Sequence, residues 1–60
     1  MAGVAEASGW TYVDGPYIGE EGRDECRQDA YYWLNQNNVL DTSCRLVGPD
    51  FRFELWVNFK

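Results

Sequence analysis

The sequence contains no histidine, only two cysteines and only five basic residues against ten acids. Each shortage removes a class of chemistry. Without histidine neither a Ser-His-Asp nor a Cys-His nucleophile can be assembled. Two cysteines, Cys26 and Cys44, cannot complete a tetrahedral zinc site unaided, and they are not spaced as Cys-X-X-Cys for thiol exchange. No glycine-rich phosphate loop with its lysine follows a strand, since Gly15-Pro16-Tyr17-Ile18-Gly19 lacks both residue and spacing. Carboxylates are plentiful on one segment, but a glycosidase needs two of them facing each other across a cleft. The sequence therefore points to a protein that is not an enzyme and carries no cofactor or metal.

The charge balance of −5 argues against nucleic acid, whose affinity rests on basic contacts to phosphate. No apolar run approaches the ~20 residues of a membrane helix. Residues 1–9 hold no apolar core of a signal peptide, although Ala5-Glu6-Ala7 has the small-x-small form of a cleavage site. Residues 1–8 are expected to form a flexible N-terminal tail, and residues 9–60 a single domain.

Sixty residues bury a marginal core, so a chain of this size commonly relies on a staple or a partner. What is present answers that need. The closing stretch Phe51-Arg52-Phe53-Glu54-Leu55-Trp56-Val57-Asn58-Phe59 alternates apolar and polar residues at the period of a half-buried strand. Trp56 alone breaks the alternation, by falling on the polar side.

Trp10–Val13 reads as a short strand stopped by Asp14-Gly15-Pro16, with either Trp10 and Tyr12 or Thr11 and Val13 turned inward. Residues 20–37 read as a helix. Gly22, Cys26, Ala30, Trp33, Leu34 and Asn37 share its buried stripe, and Glu20, Glu21, Asp24 and Glu25 suit its positive end. Tyr31 and Tyr32 flank the stripe, each half covered. Val39–Thr42 reads as a loop, Ser43–Val47 as a strand, and Gly48-Pro49-Asp50 as the turn of an antiparallel hairpin. The fold class is α+β: one helix on a three-stranded, mainly antiparallel sheet in the order β-α-β-β, with the closing strand central and a right-handed crossover.

If the helix covers the phenylalanine face, Cys26 and Cys44 meet in one layer. A disulfide between them closes a loop of about 18 residues, worth around 3 kcal/mol in the chain-entropy model, and implies an oxidising compartment. The alternative is a pair of buried free thiols.

Gly9-Trp10, Gly15-Pro16-Tyr17, a helix bearing Cys26, a strand bearing Cys44 and an aromatic closing strand together resemble short secreted modules of actinobacteria, over roughly residues 9–59. The resemblance implies an extracytoplasmic location and a disulfide, and no particular activity.

The sheet face away from the helix should display Arg45, Val47, Arg52, Glu54, Trp56 and Asn58, joined by Trp10 and Tyr12 if Thr11 and Val13 turn inward. Tryptophan, tyrosine and arginine are the composition of an interface hot spot. Trp56, Arg52, Arg45, Trp10 and Tyr12 are thus the candidate binding residues. The expected function is protein–protein recognition, with inhibition of a secreted enzyme as one form. Self-association as a homodimer, through the sheet face or an edge strand, is the first alternative. Stacking on a sugar or single-stranded nucleic acid is the second. Burial of Trp56 under the N-terminal tail would remove all three.

Overall fold

A computed structural model describes residues 9–60. The expected tail, residues 1–8, and its cover over Trp56 lie outside the described residues. The chain forms strand β1 (Trp10–Ile18), helix α1 (Gly19–Leu34), strand β2 (Val39–Val47) and strand β3 (Arg52–Phe59). The sheet order is β1-β3-β2, and β3 runs antiparallel to both neighbours. This is the expected β-α-β-β arrangement with the closing strand in the middle.

Its alternation makes β3 the spine. Phe53, Leu55 and Val57 turn to the helix and are buried, Leu55 and Val57 completely. Against them α1 sets Gly22, Cys26 and Ala30, with Tyr17, Val39 and the partly covered Val13, Trp33, Cys44 and Phe59 closing the layer. Trp33 meets Phe59 edge to face, with ring centroids 5.8 Å apart. Cys26 and Cys44 are disulfide-bonded with Cα atoms 6.1 Å apart, tying the middle of α1 to β2.

Four local expectations change. Strand β1 does not stop at Val13 but runs on to Ile18, through Asp14, Gly15 and a cis Pro16. Five steps along β1, from Tyr12 to Tyr17, match three along β3, from Trp56 to Phe53. The surplus is taken up by bulges, which an edge strand accommodates because its outer side has no ladder to break. The irregularity brings Tyr17 into the core.

Helix α1 ends at Leu34 rather than residue 37. The Asn35 and Gln36 side-chain amides donate to the Tyr31 and Tyr32 carbonyls, supplying the last turn with partners it would otherwise draw from further helix. Leu34 is consequently 45% exposed and leaves the buried stripe, and Tyr31 and Tyr32 stand well out in solvent.

Strand β2 begins at Val39, not Ser43. A bulge between Val39 and Asp41 lets Val39 bury beside Phe59, while Leu40 stays exposed. Finally, Phe51 belongs to the turn. Gly48 and Phe51 both adopt positive φ, at 70° and 55°, so Gly48-Pro49-Asp50-Phe51 closes the hairpin and pairing starts at Val47 with Arg52. The Phe51 carbonyl accepts from the Gly19 amide at 2.9 Å, linking the turn to the start of α1.

Gly22 packs directly against the β1 backbone at Tyr17. A Cβ there would lie 2.5 Å from the Tyr17 carbonyl carbon, a distance that forces the backbone apart. Helix propensity alone would favour alanine by about 1 kcal/mol. We expect Gly22→Ala instead to lower stability by about 1–3 kcal/mol, the usual cost of overpacking. Chemical denaturation measures the sign, and a gain would refute the close approach. Reducing the Cys26–Cys44 bond should cost about 3 kcal/mol and lower Tm by about 20 °C. Thermal unfolding with and without reductant checks this; an unchanged Tm would contradict it.

Candidate functional site

The face of the sheet opposite α1 is assembled by strand parity. Trp10 pairs with Asn58 and Tyr12 with Trp56 across β1–β3. Ser43 pairs with Trp56 and Arg45 with Glu54 across β3–β2. Cross-strand partners share a face, so Trp10, Tyr12, Trp56, Asn58, Glu54, Ser43 and Arg45 lie together. This decides the orientation of the first strand: Val13 packs on the core, while Trp10 and Tyr12 join the open face. Thr11 sits opposite buried Val57 yet remains exposed, at the rim of the sheet.

Five of these residues, Trp10, Tyr12, Arg45, Glu54 and Trp56, make a built cluster. The Arg45 guanidinium carbon lies 4.4 Å from the centroid of the Trp56 ring and 5.3 Å from that of Trp10. Both distances fall within cation–π range, worth about 0.5–2 kcal/mol depending on how dry the contact is. The Trp56 indole Nε1 donates to Glu54 Oε1 at 3.1 Å, which fixes the rotation of the ring. Tyr12 meets Trp56 edge to face at 5.8 Å and 71°. Tyr12 is 40% exposed, whereas Trp10, Arg45 and Trp56 are half-buried.

Arg52 stands apart. It is on the same face as Trp56 but four positions along β3, roughly 13 Å away at strand rise. It pairs with Asp50 of the hairpin turn at 3.0 Å, both side chains about half exposed. Such a surface pair contributes little to stability, and it orients Arg52 toward the turn rather than the aromatic cluster. Glu54 is the contributor the candidate list lacked. Its position two residues before Trp56, hence on the same face, was the available signal.

On the helix side a second polar cluster spans β1 and α1. The Tyr17 hydroxyl donates to Asp29 Oδ2 at 2.6 Å and has Asp14 Oδ2 at 3.2 Å. Burial, then the two carboxylates, raise the Tyr17 phenol well above its ordinary value near 10. Nothing in the sequence pattern signalled this cluster, because residues 14–16 read as a turn. Its Asp14 and Asp29 do not extend into a group of acidic, histidine or cysteine side chains able to hold a metal, and no such group occurs among the described residues.

The raised phenol has a pH consequence. Deprotonation is harder in the folded chain than in the unfolded one, so this contribution is complete below about pH 10 and is lost as pH rises beyond it. Stability should therefore fall above about pH 10, and more steeply than in Tyr17→Phe, by up to about 1.4 kcal/mol per pH unit for a single proton. Denaturant titrations between pH 9 and 11.5 compare the slopes; equal slopes would exclude Tyr17 as the source.

No family model, no curated protein and no solved structure matches this chain.

Proposed function

We propose that the chain is a small, non-enzymatic binding module that recognises a protein partner through its open sheet face, outside the cytoplasm. One observation carries this reading. Arg45 is held against two indoles, beside Tyr12, on a face that α1 leaves uncovered. An arginine already fixed by aromatic contacts gives up little freedom on binding, and side-chain ordering is a main cost of association. Trp, Tyr and Arg are also the residues that dominate interface energies. The Cys26–Cys44 bond favours an oxidising setting, and no described helix is long and apolar enough to cross a membrane. The resemblance to secreted modules agrees with that location. Inhibition of a secreted enzyme is one form such recognition would take.

A stacking ligand is supported less well. One face of the Trp56 ring is taken up by Arg45, so a sugar or base must first displace a favourable contact. The net charge of −5 further disfavours a nucleic acid.

The test is affinity capture from the secreted fraction of the producing cells, followed by direct titration of the purified partner. Trp56→Ala should weaken binding about thirtyfold, the effect of a hot spot worth about 2 kcal/mol. Circular dichroism and the intact disulfide serve as checks of fold. Unchanged affinity in Trp56→Ala and Arg45→Ala would sink the reading. So would quenching of tryptophan fluorescence by oligosaccharides with no protein partner recovered.

A further inference from the structure

We propose that Asp14-Gly15 is a site of self-modification in the folded chain, where aspartate rearranges to isoaspartate through a cyclic imide. In that reaction the amide nitrogen of the following residue attacks the aspartate carboxyl carbon. The nitrogen must lie against the carboxyl, stand outside the strand ladder and be unshielded by a side chain. All three conditions meet at this step of β1. The Gly15 amide donates to Asp14 Oδ1 at 2.8 Å, so nucleophile and carboxyl are already in contact. Groups held together in this way react far faster than separate ones. The register with β3 passes from Asp14 opposite Leu55 to Tyr17 opposite Phe53, and Gly15 has no partner in between. Residues of a bulge are left out of the ladder in this manner. Glycine leaves its nitrogen uncrowded, and Asp14 is exposed to the water that the reaction releases and takes back.

The other aspartates each lack a condition. Asp24 and Asp29 lie inside α1, where the following amides donate to carbonyls one turn earlier. Asp50 precedes the bulky Phe51. Asp41 makes the same contact as Asp14, with the Thr42 amide donating to its Oδ1 at 2.8 Å. There the branched Thr42 side chain crowds the nitrogen. The chain thus carries its own control.

Tyr17 supplies a second feature. Its one hydroxyl proton is donated to Asp29 Oδ2 at 2.6 Å, and Asp14 Oδ2 lies 3.2 Å from the same phenol oxygen. The reactive form of the carboxyl is the protonated one, and its Oδ2–H then has the phenol oxygen as acceptor. One carboxyl oxygen therefore faces the nucleophile, and the departing one faces the phenol.

The bond between the Gly15 nitrogen and Asp14 Cγ forms as the bond from Cγ to Oδ2 breaks. Oδ2 leaves as water, with the amide proton and the carboxyl proton. Water then adds to one imide carbonyl and releases the Gly15 nitrogen from it. Opening at Cγ restores aspartate. Opening at the main-chain carbonyl leaves the backbone running through Cβ, which is isoaspartate. No oxidant or reductant takes part, and the composition returns to its starting value. The main chain is now one carbon longer within the bulge that carries Tyr17 to the core. The change also reaches the open face, because a Cβ on Gly15 would lie 3.2 Å from the Tyr12 hydroxyl.

The test incubates the full, disulfide-intact chain in mildly acidic buffer and maps isoaspartate by enzymatic isoaspartyl methylation and electron-transfer fragmentation. Isoaspartate should accumulate at Asp14 and not at Asp41, preceded by a species lighter by one water. Asp14→Glu should abolish the product, since its longer side chain must close a larger ring. Asp14→Asn should form the same product with loss of ammonia, which keeps the result independent of how well the glutamate variant folds. Absence of isoaspartate at Asp14 in the folded chain overturns the proposal, whether or not the reduced, urea-unfolded chain forms it. Equal accumulation at Asp41 does so as well. Tyr17→Phe should slow the reaction, and an unchanged rate overturns the part given to the phenol.

Discussion

The structure depends on a single layer between one helix and one strand, crossed by a covalent bond. Cys26 is fully buried and bound to Cys44, and beside it lie Leu55 and Val57, equally out of water. These three make up the completely buried centre among the described residues. A core this small leaves a narrow margin over the conformational entropy of the chain. Restricting the unfolded state by a cross-link is then the most economical source of further stability. The remaining contacts surround that centre: Phe53 and Tyr17 at one end, Trp33, Val39 and Phe59 at the other.

Because α1 covers only one side, the sheet is chemically divided. Its inner face is apolar and disulfide-linked. Its outer face gathers Trp10, Tyr12, Trp56, Arg45 and Glu54 into contacts that each fix the next. The acidic residues are concentrated elsewhere: residues 20–38 hold five acids and two bases, and residues 43–60 two acids and three bases. Helix and sheet therefore offer a partner different surfaces, one charged and one aromatic and nearly neutral.

The sheet-facing half of the fold was legible because it rests on period and parity. The alternation of Phe53 to Phe59 named the central strand, and the exception at Trp56 marked the outer face. Gly22, Cys26 and Ala30 declared the inner stripe of the helix at its own spacing, and Cys26 with Cys44 then had one plausible meeting place. Three of the four misreadings share a cause. Asp14-Gly15-Pro16 has the composition of a turn, Val39–Thr42 that of a loop, and Phe51 continues a strand pattern by type. Backbone irregularities reassign all three: bulges carry β1 and β2 further, and a positive φ at Phe51 places it in the hairpin. Local composition cannot report a bulge, since the register of a neighbouring strand creates it.

The sequence by itself determined the element order, the central strand and the side of the sheet to which Trp56 belongs. These follow from spacings within single segments and from the need of a short chain to bury its few large apolar groups. The tertiary structure alone decided that Trp10 and Tyr12 join Trp56, that Arg45 reaches across the sheet to both indoles, and that Arg52 does not. It alone also brought Tyr17 between Asp14 and Asp29. Each of these depends on which residues of distant strands stand opposite one another, and that register is fixed only when the three strands and the helix close on a common core.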